Sequence, residues 1–376
     1  MVVRHSLSSF APVAALAALS GCSRQPPAPE PSPPPSHEAR ADIAAHAQGA
    51  APSTARDPDG ADARGAGSEA DAATPDDDPM ATHYMTQADL LHLVPLPPPA
   101  DEKAGARRDA LLAYLIAPTP GHFNDGNRAL AHHSISKAKC LAGLKDVVLQ
   151  TDEQREICKG EANMVPVYAN GDPHSAKVCI DQFEFPNEPC ELPFVWGSPS
   201  EAEAMCKVQG KRLCTQQEWS LSCTADPAGK TKWPYAYGEK LDLEICNTNT
   251  PHEAGPDGKA WRCYVHDATS TWNTCATDTE PTGAFPRCRS RLGVYDQHGN
   301  VAEMMTRAED GEVYTQLKGS AFFYVDVARE PGKAPLHPER ESYPDTCNYD
   351  PRWHVEKLSE ALHCNYHLGF RCCKQL

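Results

Sequence analysis

The chain has 376 residues, a formal net charge of −16 and 40% hydrophobic residues. That acidic balance, with a pI near 5.4, excludes the basic footprint of a nucleic-acid binder and electrostatic adhesion to anionic lipid, while leaving divalent cations open. Of the 16 cysteines, all but Cys22 fall between Cys140 and Cys373, the density of a disulfide framework in an exported protein.

Residues 1–22 read as a lipoprotein signal peptide. Arg4 precedes an apolar run from Phe10 to Leu19 that is too short to span a bilayer. The run ends in Leu19-Ser20-Gly21-Cys22, a lipobox tetrapeptide in which Cys22 is acylated and becomes the mature N-terminus. An ordinary signal peptide with a cysteine nearby is the alternative. Ser23, rather than Asp, follows the cysteine, which in a Gram-negative envelope points to the outer membrane. The expected membrane partner is therefore the lipid bilayer, through an N-terminal anchor.

Residues 23–82 are rich in Pro, Ala, Asp and Gly and nearly devoid of large apolar side chains. Such a stretch cannot bury enough surface to offset the entropy of ordering, and reads as a disordered tether. Residues 83–162 read as a helical lead-in. Thr86 is placed to cap a short turn through Leu91, and "DEKAGARRDALLAYLI" has the apolar spacing of a helix stopped by Pro118. A further helix is expected over Ser136 to Leu149, bracketed by Cys140 and Cys158, which could staple it to the next loop. His132 and His133 read as surface or capping residues.

From Met164 the pattern changes to short strands and loops. "AKVCIDQFEF" alternates as a half-buried strand does. "SPSEAEAMCKVQG" carries a capping box, opened by Ser198 or Ser200 with Glu201 or Glu203 facing back, and ends at Gly210, and "CTQQEWSLSC" reads as a helix capped by Thr215 with Trp219 inward. Fifteen cysteines remain when Cys22 is set aside. The odd count leaves one free, paired between molecules or bound to metal, and adjacent Cys372 and Cys373 are expected to reach separate partners.

Five ordered stretches carry a resemblance: "GKRLCTQQEW" (210–219), "WPYAYG" (233–238), "GVYDQHGNVAEM" (293–304), "LKGSAFF" (317–323) and "LGFRCC" (368–373). Over residues 163–376 the chain resembles the formylglycine-generating enzyme, or sulfatase-modifying factor, family, in a disulfide-rich form. The resemblance implies an α+β, C-type-lectin-like domain with little regular secondary structure. It also implies a calcium loop, with the Asp296 and Glu303 carboxylates and the Gly299 and Val301 carbonyls as ligands. Hard oxygen donors on a sharp Gly-containing turn suit that ion, although the same residues could simply build a turn. Asn247 and Thr248 resemble a second calcium loop of the family, but no well-placed Asp completes it.

Founding members of the family oxidise a sulfatase cysteine with copper and O₂, using two thiolates shortly after an Arg-Gly-Gly-Ser motif, a soft site suited to Cu(I). Here the motif reads Lys318-Gly319-Ser320, and the matching positions are Phe323 and Ala328. Copper-dependent formylglycine formation is therefore not expected. "HCNYH" (363–367) has an HxxxH spacing but no helix to present it. Two readings of function stand: a calcium-stabilised binding or structural module for a protein, peptide or glycan ligand, or an oxidoreductase-like enzyme of altered chemistry acting on an exported peptide or protein, with Cys347, Cys364 or another free thiol as the reactive group. Trp233, Trp261, Trp272 and Trp353 either line a pocket or pack in the core.

Overall fold

The structure is a computed structural model that describes residues 77–82, 86–116, 122–248, 250, 272–273, 275–323, 346–351 and 355–376. The lipobox with Cys22, and the tether up to residue 76, lie outside the described residues. Among the described residues no helix is long and apolar enough to cross a membrane.

Side-chain capping sets most of the helix starts. Helix α1 (Pro79–Thr82) is a single turn inside the segment expected to be tether. Thr86 and Asp89 form a capping box at the start of α2 (Gln87–Leu93), and Asp101 caps α3 (Glu102–Leu115). Ser136 caps α4 (Lys137–Leu144), which stops short of the expected Leu149. Thr151 with Gln154 opens α5 (Asp152–Ile157). Ser198 with Glu201 opens α6 (Pro199–Val208), where Pro199 occupies the first turn. Thr215 with Glu218 opens α7 (Gln216–Thr224) and leaves Trp219 buried. Each cap satisfies N–H groups that have no partner within the helix, worth roughly 1 kcal/mol apiece.

The strands form two small sheets. In the first, β1 (Met164–Pro166), β2 (Val178–Asp181), β7 (Cys372–Gln375) and β3 (Arg212–Leu213) lie in that order, with every pairing antiparallel. In the second, β4 (Ala302–Glu309) is central, antiparallel to β5 (Glu312–Lys318) and parallel to β6 (Leu368–Phe370). Asp310 and Gly311, at φ 50° and 82°, make the two-residue turn of the β4–β5 hairpin, the positive-φ geometry that matches strand twist. Arg371 is the one residue between β6 and β7, so the chain crosses from one sheet to the other at that side chain.

The architecture is α+β with much of the chain in loops. Leu90, Val94, Leu112, Leu115 and Ile116 of the lead-in share one apolar cluster with Phe185, Phe194, Met205 and Phe370. Burial of each such side chain contributes roughly 1.5–3 kcal/mol, so α2 and α3 belong to the main core.

Six disulfides join described residues. Cys206–Cys372 and Cys214–Cys373 fasten α6 and the β3–α7 junction to β7, so the adjacent pair does reach separate partners. Cys140 bonds Cys190 and Cys158 bonds Cys179, tying α4 and the end of α5 to different parts of the main domain. Cys223–Cys347 and Cys246–Cys288 are two more, and Cys275 and Cys364 are disulfide-bonded as well. No described cysteine is free.

Two local expectations change. From the end of β2 onward the chain is buried on both sides: Asp181, Gln182 and Glu184 are as inaccessible as Phe183 and Phe185, because loops cover the face that alternation assigned to solvent. His133 is buried, with its ring Nδ1 against the Thr279 carbonyl, rather than a surface residue.

Candidate functional site

The stretch from Tyr295 to Glu303 turns on three left-handed residues: Asp296 at φ 55°, Gly299 at 74° and Asn300 at 58°. Asn and Asp tolerate this region better than other side chains. Gly299 has a second constraint, since a Cβ there would lie 2.1 Å from the Asn247 carbonyl oxygen. The Asn300 N–H donates to that same oxygen at 2.8 Å, so the two loops pack backbone to backbone.

Two sets of side chains leave the loop in different directions. On one side, Glu303 meets Arg371 through both carboxylate oxygens, at 2.5 and 2.7 Å, with both groups fully buried. Arg371 also donates to the carbonyls of Asp181, Gln182 and Tyr295. Glu184 accepts from the Asn300 amide at 2.6 Å and the Val301 N–H at 3.1 Å. Asp296 Oδ2 accepts from the Gly283 N–H at 2.6 Å, whereas its Oδ1 takes no hydrogen bond among the described residues.

Three buried carboxylates thus surround one guanidinium. Burial, with the negative charges of Asp296 and Glu303 next in weight, pushes Glu184 well above the ordinary carboxylate range. Burial likewise raises Asp296 to about 7, against the pull of the Gly283 N–H and Arg371. Either protons or a further cation must balance the excess of negative charge. Asn300 ties the cluster together, accepting from Asn247 Nδ2 at 2.9 Å and the Glu280 N–H at 2.8 Å. Glu280 in turn accepts from Ser134 and Ile135.

On the other side, Gln297 donates to the Trp219 carbonyl and Ser222 Oγ of α7. His298 Nε2 accepts the Ala236 N–H at 2.9 Å and lies 3.6 Å from the sulfur of Cys223 and 3.9 Å from that of Cys347. Lys318 is buried beside Trp219, its ammonium 5.2 Å from the ring centroid, and pairs with Asp350 at 2.9 Å. Burial holds its pKa below the usual lysine value, with Asp350 opposing.

A family model described as the sulfatase-modifying factor enzyme 1-like domain matches residues 134–376. The chain belongs to that family. No curated protein matches it. The match begins at Ser134, the residue that hydrogen-bonds Glu280, and so takes in α4 and α5 of the lead-in.

In this sulfatase-modifying-factor-like domain the four expected calcium ligands lie on one loop. Asp296 and Glu303 turn toward the same buried cluster. Glu303, however, is a bidentate partner of Arg371, a role for which its sequence position gave no sign. Asn247 proves to be a brace for the Asn300 loop. Cys347 and Cys364, expected as candidate thiols, are both disulfide-bonded and carry no thiol in this state. His363 borders a cavity of about 10 Å³ with Pro199, Met304 and Glu356, room for about one water. His367 packs edge-on against Phe323.

Phe323 belongs to an aromatic group with Phe322 and Tyr366, and Ala328 lies outside the described residues. Trp272 packs against Trp196, and Trp233 lies under the Arg291 guanidinium; Trp261 and Trp353 lie outside the described residues. Sequence reasoning missed Glu184, Glu280 and Arg371 as members of the buried cluster. An available signal was the run of acidic and amide residues in "CIDQFEF", where apolar neighbours on both sides left no obvious solvent face.

Proposed function

We propose that the protein is a lipid-anchored envelope component whose sulfatase-modifying-factor-like domain acts as a calcium-stabilised binding or structural module for a protein, peptide or glycan, without copper-dependent formylglycine formation. The observation that carries this reading is the buried set Glu184, Asp296 and Glu303 against the single guanidinium of Arg371. A divalent cation would offset that excess, and Asp296 Oδ1 is an oxygen without a donor among the described residues. The resemblance implies calcium on this loop, where Asp296, the Gly299 and Val301 carbonyls and Glu303, shared with Arg371, would hold it. Calcium would supply charge balance and rigidity there.

Phe323 and Ala328, at the two positions where copper-using relatives carry thiolates, support the absence of copper chemistry. Leu19-Ser20-Gly21-Cys22 supports the anchor, with acylation at Cys22 and, given Ser23, an outer-membrane address. Of the thiols named for the competing enzyme reading, Cys347 and Cys364 are both in disulfides.

Elemental analysis of the purified, non-reduced protein after gel filtration in calcium-free buffer tests the reading. One calcium per chain is expected, lost in Asp296→Asn, which keeps the left-handed backbone and an acceptor for Gly283. A wild-type protein that holds no calcium, and whose melting temperature is the same in EGTA and in millimolar calcium, would overturn it.

A further inference from the structure

The geometry points to a latent metal site at Cys223, His298 and Cys347, in which opening of the disulfide by a dithiol leaves two thiolates and an imidazole placed around one soft d¹⁰ cation, Zn(II) or Cu(I). Among the described residues this is the group of three His, Cys, Asp or Glu side chains whose ligand atoms all lie within 4.8 Å of one another. All three are buried, at 2%, 1% and 0% exposure. They come from distant parts of the chain: the end of α7, the Asp296–Glu303 loop, and the segment at residue 347. Its three residues stand at other sequence positions than Phe323 and Ala328, and it goes beyond the proposed function, holding whether or not the loop binds calcium.

The distances favour the inference. A tetrahedral zinc with bonds of about 2.3 Å to sulfur and about 2.0 Å to nitrogen sets sulfur and nitrogen about 3.5 Å apart, and the two sulfurs about 3.8 Å apart. His298 Nε2 already stands 3.6 and 3.9 Å from the two sulfurs. Only the sulfur pair, bonded at 2.01 Å, must separate. Two thiolates with one imidazole are the donor set that soft and borderline ions select. The Ala236 N–H, now bonded to Nε2, must give up that lone pair to the metal. In the first step the dithiol is oxidised to its disulfide, while Cys223–Cys347 takes up two electrons and two protons. Metal binding then releases both thiol protons and leaves the thiolates as ligands.

The test uses the full chain under native, anaerobic conditions. Graded dithiothreitol is followed by gel filtration, addition of Zn(II) or Cu(I), and alkylation with N-ethylmaleimide read by peptide mass mapping. The expected result is joint labelling of Cys223 and Cys347 while circular dichroism stays native, uptake of one zinc or copper ion per chain by the reduced protein alone, and protection of both cysteines by that ion. His298→Gln, which keeps both cysteines, should weaken uptake by the reduced protein at least tenfold. The inference is overturned if the pair is labelled only on global unfolding, if the reduced folded protein takes up neither ion stoichiometrically, or if uptake leaves both cysteines reactive. Calcium content, measured in the non-reduced protein, is read separately from this result.

Discussion

Replacing Arg371 with Met removes the cation on which the buried cluster depends while keeping much of the side-chain volume. Two charge-assisted hydrogen bonds to Glu303 disappear, at 2.5 and 2.7 Å, together with three to the carbonyls of Asp181, Gln182 and Tyr295. Breaking a fully buried pair by removing one partner costs about 3–5 kcal/mol, because the remaining charge has no compensation. Each carbonyl left without a donor adds up to about 1–3 kcal/mol, less whatever water can recover. We expect a loss of at least about 4 kcal/mol at pH 7 in calcium-free buffer, a fall of about 10 °C in melting temperature for a domain of this size. Thermal unfolding of the non-reduced protein by circular dichroism reads it. Arg371→Lys should recover only part, since an ammonium cannot reproduce the bidentate fork. A loss below about 1 kcal/mol for Arg371→Met, the range of an exposed ion pair, would refute the view that this residue neutralises the core.

Gly299→Ala should destabilise strongly and abolish any calcium uptake, because the new Cβ would lie 2.1 Å from the Asn247 oxygen at a φ of 74°; near-wild-type melting would show that the two loops separate without cost. The pH dependence follows from Asp296. Its folded-state pKa is raised from 3.8 to about 7, so its stabilising contribution is complete below about pH 4 and is lost as pH rises through about 7, at up to 1.4 kcal/mol for each pH unit. In EGTA the denaturation midpoint should fall between pH 5 and 8; saturating calcium or Asp296→Asn should flatten that slope, and a slope unchanged by either would locate the titration elsewhere.

Several elements were legible because their causes are local. Thr86, Ser136, Ser198 and Thr215 cap helices within a few residues of themselves, and Trp219 faces inward because the helical period places it there. Asp310-Gly311 is an equally local hairpin signal. The alternation in "CIDQFEF" misled for a physical reason. It marks a half-buried strand only when one face meets water, and here Arg371 and the 296–303 loop cover the polar face. The fate of Cys347 was likewise not a local property, since its partner Cys223 lies 124 residues away.

The sequence by itself determined the family, the α+β class, the presence of disulfide cross-links though not their pairing, and the loop from Asp296 to Glu303, because ordered motifs and turn-forming residues act over short spans. Only the tertiary structure decided how charge is balanced within it. Glu184 comes from the segment after β2, Glu303 from β4 and Arg371 from the junction of the two sheets. Their ionisation depends on distances of a few ångströms in a medium that water does not reach, and no spacing along the chain encodes those distances.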